Sequence, residues 1–208
     1  MINAIVVGVI VMALLLTVIA YVLLQEVRAQ RHWRGLVNQG DEEAIRALVE
    51  EAMSGWRAGR PPKGIPVSVW GGVQSAEIVH VDSRTMRLST SAEAQYAGVG
   101  NDRKETSSPL DEGRKTFMKL AEMCLYEIPN IHFSLLQIDV YTTFRQENGA
   151  ASQRCILSGL VDRKKVGQVD WERDTPEQFL KLVGATYKVD RAGRPQPIDP
   201  VPLVGSPA

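Results

Sequence analysis

The chain has 208 residues, with 24 Lys plus Arg balanced by 24 Asp plus Glu and a pI near 6.8, so it lacks the basic excess of a general nucleic-acid binder. Its two cysteines, Cys124 and Cys155, lie in no CxxC or metal-spaced cluster, which suits a reducing compartment. After a membrane segment and a tail are set aside, roughly 150 residues remain, enough for one domain with one core.

Residues 1–3 precede an unbroken apolar run, 4–24, in which no charge, Asn, Gln or Pro occurs. At about 1.5 Å per residue such a helix spans about 30 Å, the hydrocarbon thickness of a bilayer. Fourteen of its residues are Leu, Ile or Val, which favours insertion by about 4 to 8 kcal/mol. A cleaved signal peptide, which would release a secreted domain, is the competing reading; it needs a basic start and a small-residue cleavage site, and neither is present. Arg28, Arg31 and Arg34 follow the run while no Lys or Arg precedes it, which predicts an exterior N-terminus and a cytoplasmic domain. In the juxtamembrane segment 25–40, Trp33 is placed to sit with those arginines at the lipid headgroups.

Residues 41–190 read as one α+β domain. DEEAIRALVEEAMSGW, 41–56, is an amphipathic helix whose apolar stripe holds Ile45, Leu48, Val49, Ala52 and Met53. After a Pro/Gly-rich boundary, VSVW, 67–70, the pair Gly71-Gly72, 73–81 and 85–91 predict a three-strand antiparallel meander. Residues 92–107 read as a loop. Ser108 and Pro109 open a second helix, 109–128, with an apolar face of Phe117, Leu120, Ala121, Cys124, Leu125 and Ile128.

Asn148-Gly149 is a strong hairpin signal between strands 132–147 and 151–163. With that turn, Leu136 faces Val161, Ile138 faces Gly159, Val140 faces Leu157 and Thr142 faces Cys155. The other face pairs Asp139 with Ser158, Tyr141 with Ile156, Gln137 with Leu160 and Thr143 with Arg154, so it is mixed in character. VGQVDW, 166–171, reads as a short edge strand, and Thr175-Pro176-Glu177-Gln178 as a capping box opening a helix that Gly184 ends. The stretch 191–208 carries five of the eleven prolines and reads as a disordered tail.

No catalytic motif emerges. His80 and Asp82 share a strand face, Asp139 joins them only if the strand groups form one sheet, and a pocket between sheet and helix 109–128 would then make a tethered enzyme or small-ligand sensor. After Asp82 no Glu-x-Lys follows for two-metal phosphodiester chemistry. Asp170, Glu172 and Asp174 lack calcium-loop spacing. No motif implies a metal or cofactor. The predicted function is that of a single-pass, membrane-anchored scaffold, assembly factor or accessory subunit. Its partners would be the bilayer and another membrane or cytoplasmic protein, and the Ala4/Gly8 pair makes a second copy a further candidate. Candidate contact residues are Leu135, Tyr141, Ile156 and Leu160 on the mixed sheet face, and Ile45, Leu48 and Val49 on the first helix.

Overall fold

A computed structural model describes residues 12, 14–25, 35–37, 39–98, 102–145 and 149–202. Residues 14–25 are helical, and each side chain of that segment is exposed. Among the described residues no helix is long and apolar enough to cross a membrane. Most of 4–13, together with Arg28, Arg31, Trp33 and Arg34, lies outside the described residues.

The domain begins with α1 (Glu42–Ala58), capped by the Asp41 carboxylate, which accepts the Ala44 N–H at 3.0 Å. Its stripe of Ile45, Leu48, Val49 and Met53 is buried in the core of the same domain. Those residues are therefore not an open contact face. The next element corrects the expected meander, because VSVWGGVQ forms a helix, α2 (Val67–Gln74). Buried Val69, Trp70 and Val73 recur at helical spacing, and Trp70 Nε1 donates to Gly59 O at 3.1 Å, tying α2 to the end of α1. Gly72, read as a turn residue, is needed for close approach: a Cβ there would stand 2.5 Å from the Thr116 side chain.

Two strands, not three, then form the first hairpin, β1 (Glu77–Val81) and β2 (Thr85–Ser91). The predicted loop contains a small ribbon, β3 (Gln95–Ala97) with β4 (Lys104–Ser107), where the Arg103 guanidinium lies 4.4 Å from the Tyr96 ring centre. The helix α3 (Pro109–Tyr126) starts at Ser108 as expected, and its predicted apolar face is buried. Gly113, a poor helix former, lets this helix approach the strand that carries Val140, since a Cβ there would sit 3.1 Å from the Val140 side chain.

The long hairpin is β5 (Leu135–Arg145) and β6 (Ala151–Asp162). Leu136↔Val161, Ile138↔Gly159 and Val140↔Leu157 pair as the turn chemistry predicts. A bulge after Val140 then shifts the register by one, so Tyr141 pairs with Cys155, Thr142 with Arg154 and Thr143 with Gln153. The expected Tyr141–Ile156, Thr142–Cys155 and Thr143–Arg154 pairs do not form.

One mixed sheet results, in the order β1-β2-β5-β6-β7-β8, with β2 parallel to β5 and its other neighbours antiparallel. An antiparallel sheet was expected; the excursion through α3 returns the chain to the same end of the sheet, and that makes the pairing parallel. VGQVDW is not an edge strand. It holds a 3-10 turn, Lys165–Gln168, that buries Val166, and Trp171 packs its ring 5.1 Å from Phe179 and 5.8 Å from Tyr126.

The helix α4 (Pro176–Val183) has the predicted capping box and ends at left-handed Gly184. Beyond it, β7 (Thr186–Val189) and β8 (Pro195–Gln196) extend the sheet. Ordered structure therefore continues through 202, correcting the tail expected from 191; residues 203–208 lie outside the described set. Asp190 holds the β7–β8 turn by accepting the Ala192 and Arg194 N–H groups at 2.8 and 2.9 Å, and a short edge strand accommodates Pro195, whose missing N–H disrupts no inner ladder.

Candidate functional site

Alternation along β5 sends Leu136, Ile138 and Val140 to one face and Gln137 and Asp139 to the other. The first face meets the helices, and these three β5 residues on it are apolar. Phe117, Leu120, Leu136, Ile138 and Val140 are all 0% exposed, so the space expected to form a pocket beside the second helix is filled by core. Gly159 admits the Phe117 ring here, because a Cβ at that position would stand 2.8 Å from Phe117 Cζ.

The second face carries a buried polar cluster. Register places Arg87 beside Gln137, and Asp139 between Ser89 and Ser158. Asp139, 1% exposed, accepts from Arg87 Nε at 2.8 Å, from Ser158 Oγ at 2.6 Å and from Gln137 Nε2 at 3.2 Å. A carboxylate taken out of water is costly unless paired and hydrogen-bonded, and this one is both. Burial first, and then the nearby Asp139 charge, pushes the Cys155 thiol up to about 12, so Cys155 is neutral and unreactive at ordinary pH. The same two causes raise the half-buried Tyr141 phenol. Burial also raises the Cys124 thiol on the core face.

The cover over this cluster is the C-terminal segment. Ile198 N–H donates to Cys155 O at 2.9 Å, Val201 N–H donates to Ser158 Oγ at 2.9 Å, and Gln137 Nε2 donates to Val201 O at 2.6 Å. Two fully buried side chains thus hold the N–H and the C=O of one residue. The Ser158 hydroxyl donates its hydrogen bond to Asp139 Oδ1, so its oxygen is fixed as an acceptor toward Val201. No imidazole approaches the Ser158 hydroxyl in these contacts, and the geometry is that of backbone recognition. Beside the cluster, toward β1, lies an open polar cavity of about 360 Å³ lined by Ser75, Glu77, Ser89, Ser91 and Tyr141 among others.

His80 and Asp82 do come together, with Nε2 and Oδ2 3.2 Å apart, but at the exposed hairpin end and separate from the Asp139 contacts. Partial burial raises the Asp82 carboxyl; hydrogen bonds from the Thr85 hydroxyl, the Arg84 and Thr85 N–H groups and His80 outweigh it and hold the carboxyl at about 2. Asp82 is therefore a turn-closing group. Asp170 likewise accepts from the backbone of Glu172 and Arg173, each at 3.2 Å. Among the described residues no group of His, Cys, Asp and Glu is arranged to hold a metal ion.

Of the residues singled out for contact, Leu135, Tyr141 and Leu160 are half-buried, while Ile156, Ile45 and Val49 are 0–1% exposed and Leu48 is 8% exposed. Arg87, Gln137, Ser158 and Val201 were not anticipated as a unit. The polar alternation Gln137-x-Asp139 within an otherwise apolar strand, facing Ser158, is the signal that points to them. Comparison with protein-family models, curated proteins and solved structures finds no match for the chain.

Proposed function

We propose that the protein is a membrane-anchored binding module, an accessory or scaffold subunit whose α+β domain holds a protein partner near a bilayer. The observation that carries this reading is the N-terminal helical segment, where Leu14, Leu15, Leu16, Val18, Ile19, Val22, Leu23 and Leu24 stand 53–62% exposed. Apolar side chains open on every side of a helix need a cover, and a bilayer supplies one for the whole 4–24 run. Arg28, Arg31 and Arg34 support a domain on the cytoplasmic side. The buried Asp139 cluster supports binding over catalysis, because its charges are spent on mutual pairing and its polar side chains on holding backbone groups.

The test is fractionation of the full chain beside a chain lacking residues 1–25. Retention of the full chain in alkaline-washed membranes, with the shortened chain in the supernatant, is the expected result. A full chain that leaves the membrane in carbonate overturns the anchor. Crosslinking in intact membranes followed by mass spectrometry should then recover a partner protein, and a monomer alone would remove the scaffold role.

A further inference from the structure

We infer that the polar sheet face around Gln137, Asp139 and Ser158 is a receptor for an extended, proline-containing peptide segment of a partner protein, occupied within this chain by residues 197–202. The inference rests on the domain's being a binding module and does not need the anchor.

Three observations carry it. First, what is read is backbone. Gln137 and Ser158, both 0% exposed, grip the C=O and N–H of Val201 at 2.6 and 2.9 Å. Pro202 restricts Val201 to extended or polyproline-like conformations, in which N–H and C=O have no partner within their own segment and are free for a receptor. Side chains that capture such groups, in a groove beside aromatic and apolar residues, are how proline-rich segments are recognised.

Second, the cover is thin while the cluster beneath is complete. Pro197, Asp199 and Pro202 are exposed and Ile198, Pro200 and Val201 only half-buried. The bonds from Arg87 and Ser158 to Asp139 involve no atom of the segment. The β5 residues facing the helices are apolar, whereas this face carries a charge pair neutralised within the sheet itself.

Third, Gln137 Oε1 is buried and has no hydrogen-bond partner among the described residues. That acceptor is left for a donor which the seated segment, with proline on both sides of Val201, does not provide. A partner carrying an ordinary residue in place of one proline has the missing N–H.

The experiment uses the full chain in mild detergent and a fluorescent peptide with the sequence of residues 195–202, PQPIDPVP. Ile198→Pro with Val201→Pro removes both N–H donors that seat the segment. The peptide is expected to bind this released variant at least tenfold more tightly than the wild-type chain, and to lose at least tenfold when its Val nitrogen is methylated or when Gln137→Ala is added. A released variant with native near-ultraviolet dichroism that does not bind the peptide overturns the inference. If the released variant does not fold, the wild-type chain decides: excess unlabelled peptide should shift the Ile198 and Val201 backbone amide resonances of the labelled chain by displacing them from Cys155 and Ser158, and unchanged Ile198 and Val201 resonances overturn it. These readouts are independent of membrane retention, so failure here and failure of the anchor are distinguishable.

Discussion

The two faces of the central sheet are built by the same strands and covered in opposite ways. Toward the helices, β5 and β6 present Leu136, Ile138, Val140, Leu157 and Val161, all 0% exposed, under α3 and its neighbours. Away from them, the alternate residues present Gln137, Asp139 and Ser158 to a segment of six residues. Burial alone does not separate the faces, since both reach 0%. The chemistry of the cover does: the helical face gains from area removed from water, whereas the other depends on each polar atom finding a partner.

That contrast can be broken or sharpened by substitution. The largest effect should come from the helical face, where Phe117→Ala is expected to cost about 3 to 5 kcal/mol in urea unfolding. A loss below about 1 kcal/mol would mean that this face is not the core. On the polar face, Asp139→Ala should cost about 3 kcal/mol by leaving the Arg87 guanidinium, only 24% exposed, without its counter-charge. Adding Arg87→Met should restore much of that loss, and simple additivity of the two would show that the pair is not coupled. Gly159→Ala, which forces a methyl against Phe117, should cost about 1 to 3 kcal/mol, read from the shift in melting temperature.

Smaller still is the expected effect on the cover. Val201→Pro should cost about 1 kcal/mol and leave hydrogen exchange of the β5 and β6 amides unchanged. Uniform loss of protection across the sheet would place the segment within the same cooperative unit as the helices. The least effect belongs to the hairpin end. The Asp82 carboxyl is depressed from 3.8 to about 2, so its stabilising contribution is fully present above pH 4 and is lost as pH falls through 2. Thr85→Val should move its titration, followed by carboxyl NMR, back toward 3.8. An unmoved midpoint would show that the Thr85 hydroxyl is not the group holding it.

Legibility in the sequence followed the range of the interactions. Ser108-Pro109 and Thr175-Pro176-Glu177-Gln178 predicted their helix starts, because a cap is satisfied within three residues of itself. Asn148-Gly149 and alternation predicted the pairs beyond the bulge at Val140/Tyr141 but not those between the bulge and the turn, because no local signal announces the bulge. VSVW forms a helix where its sequence predicts a strand, since a short apolar run suits either state and only the fit of Gly72 against Thr116 and of Trp70 against Gly59 favours the helix.

The candidate site shows the same division. The pairing of Asp139 with Ser158 was readable from the turn, but Arg87 joins them only because β2 lies parallel beside β5, a pairing set by the path through α3. The proline-rich stretch has no local propensity to order itself, and its place over the sheet comes from side chains about 40 to 64 positions away in the chain. By itself, then, the sequence determined the apolar N-terminal run, the helix caps, and which residues of β5 and β6 share a face, because each depends on near neighbours. Only the tertiary structure decided what covers each face: an apolar stripe is satisfied by any apolar cover, whereas a buried Gln or Asp is satisfied only by a particular atom, and chain order does not specify which distant atom arrives.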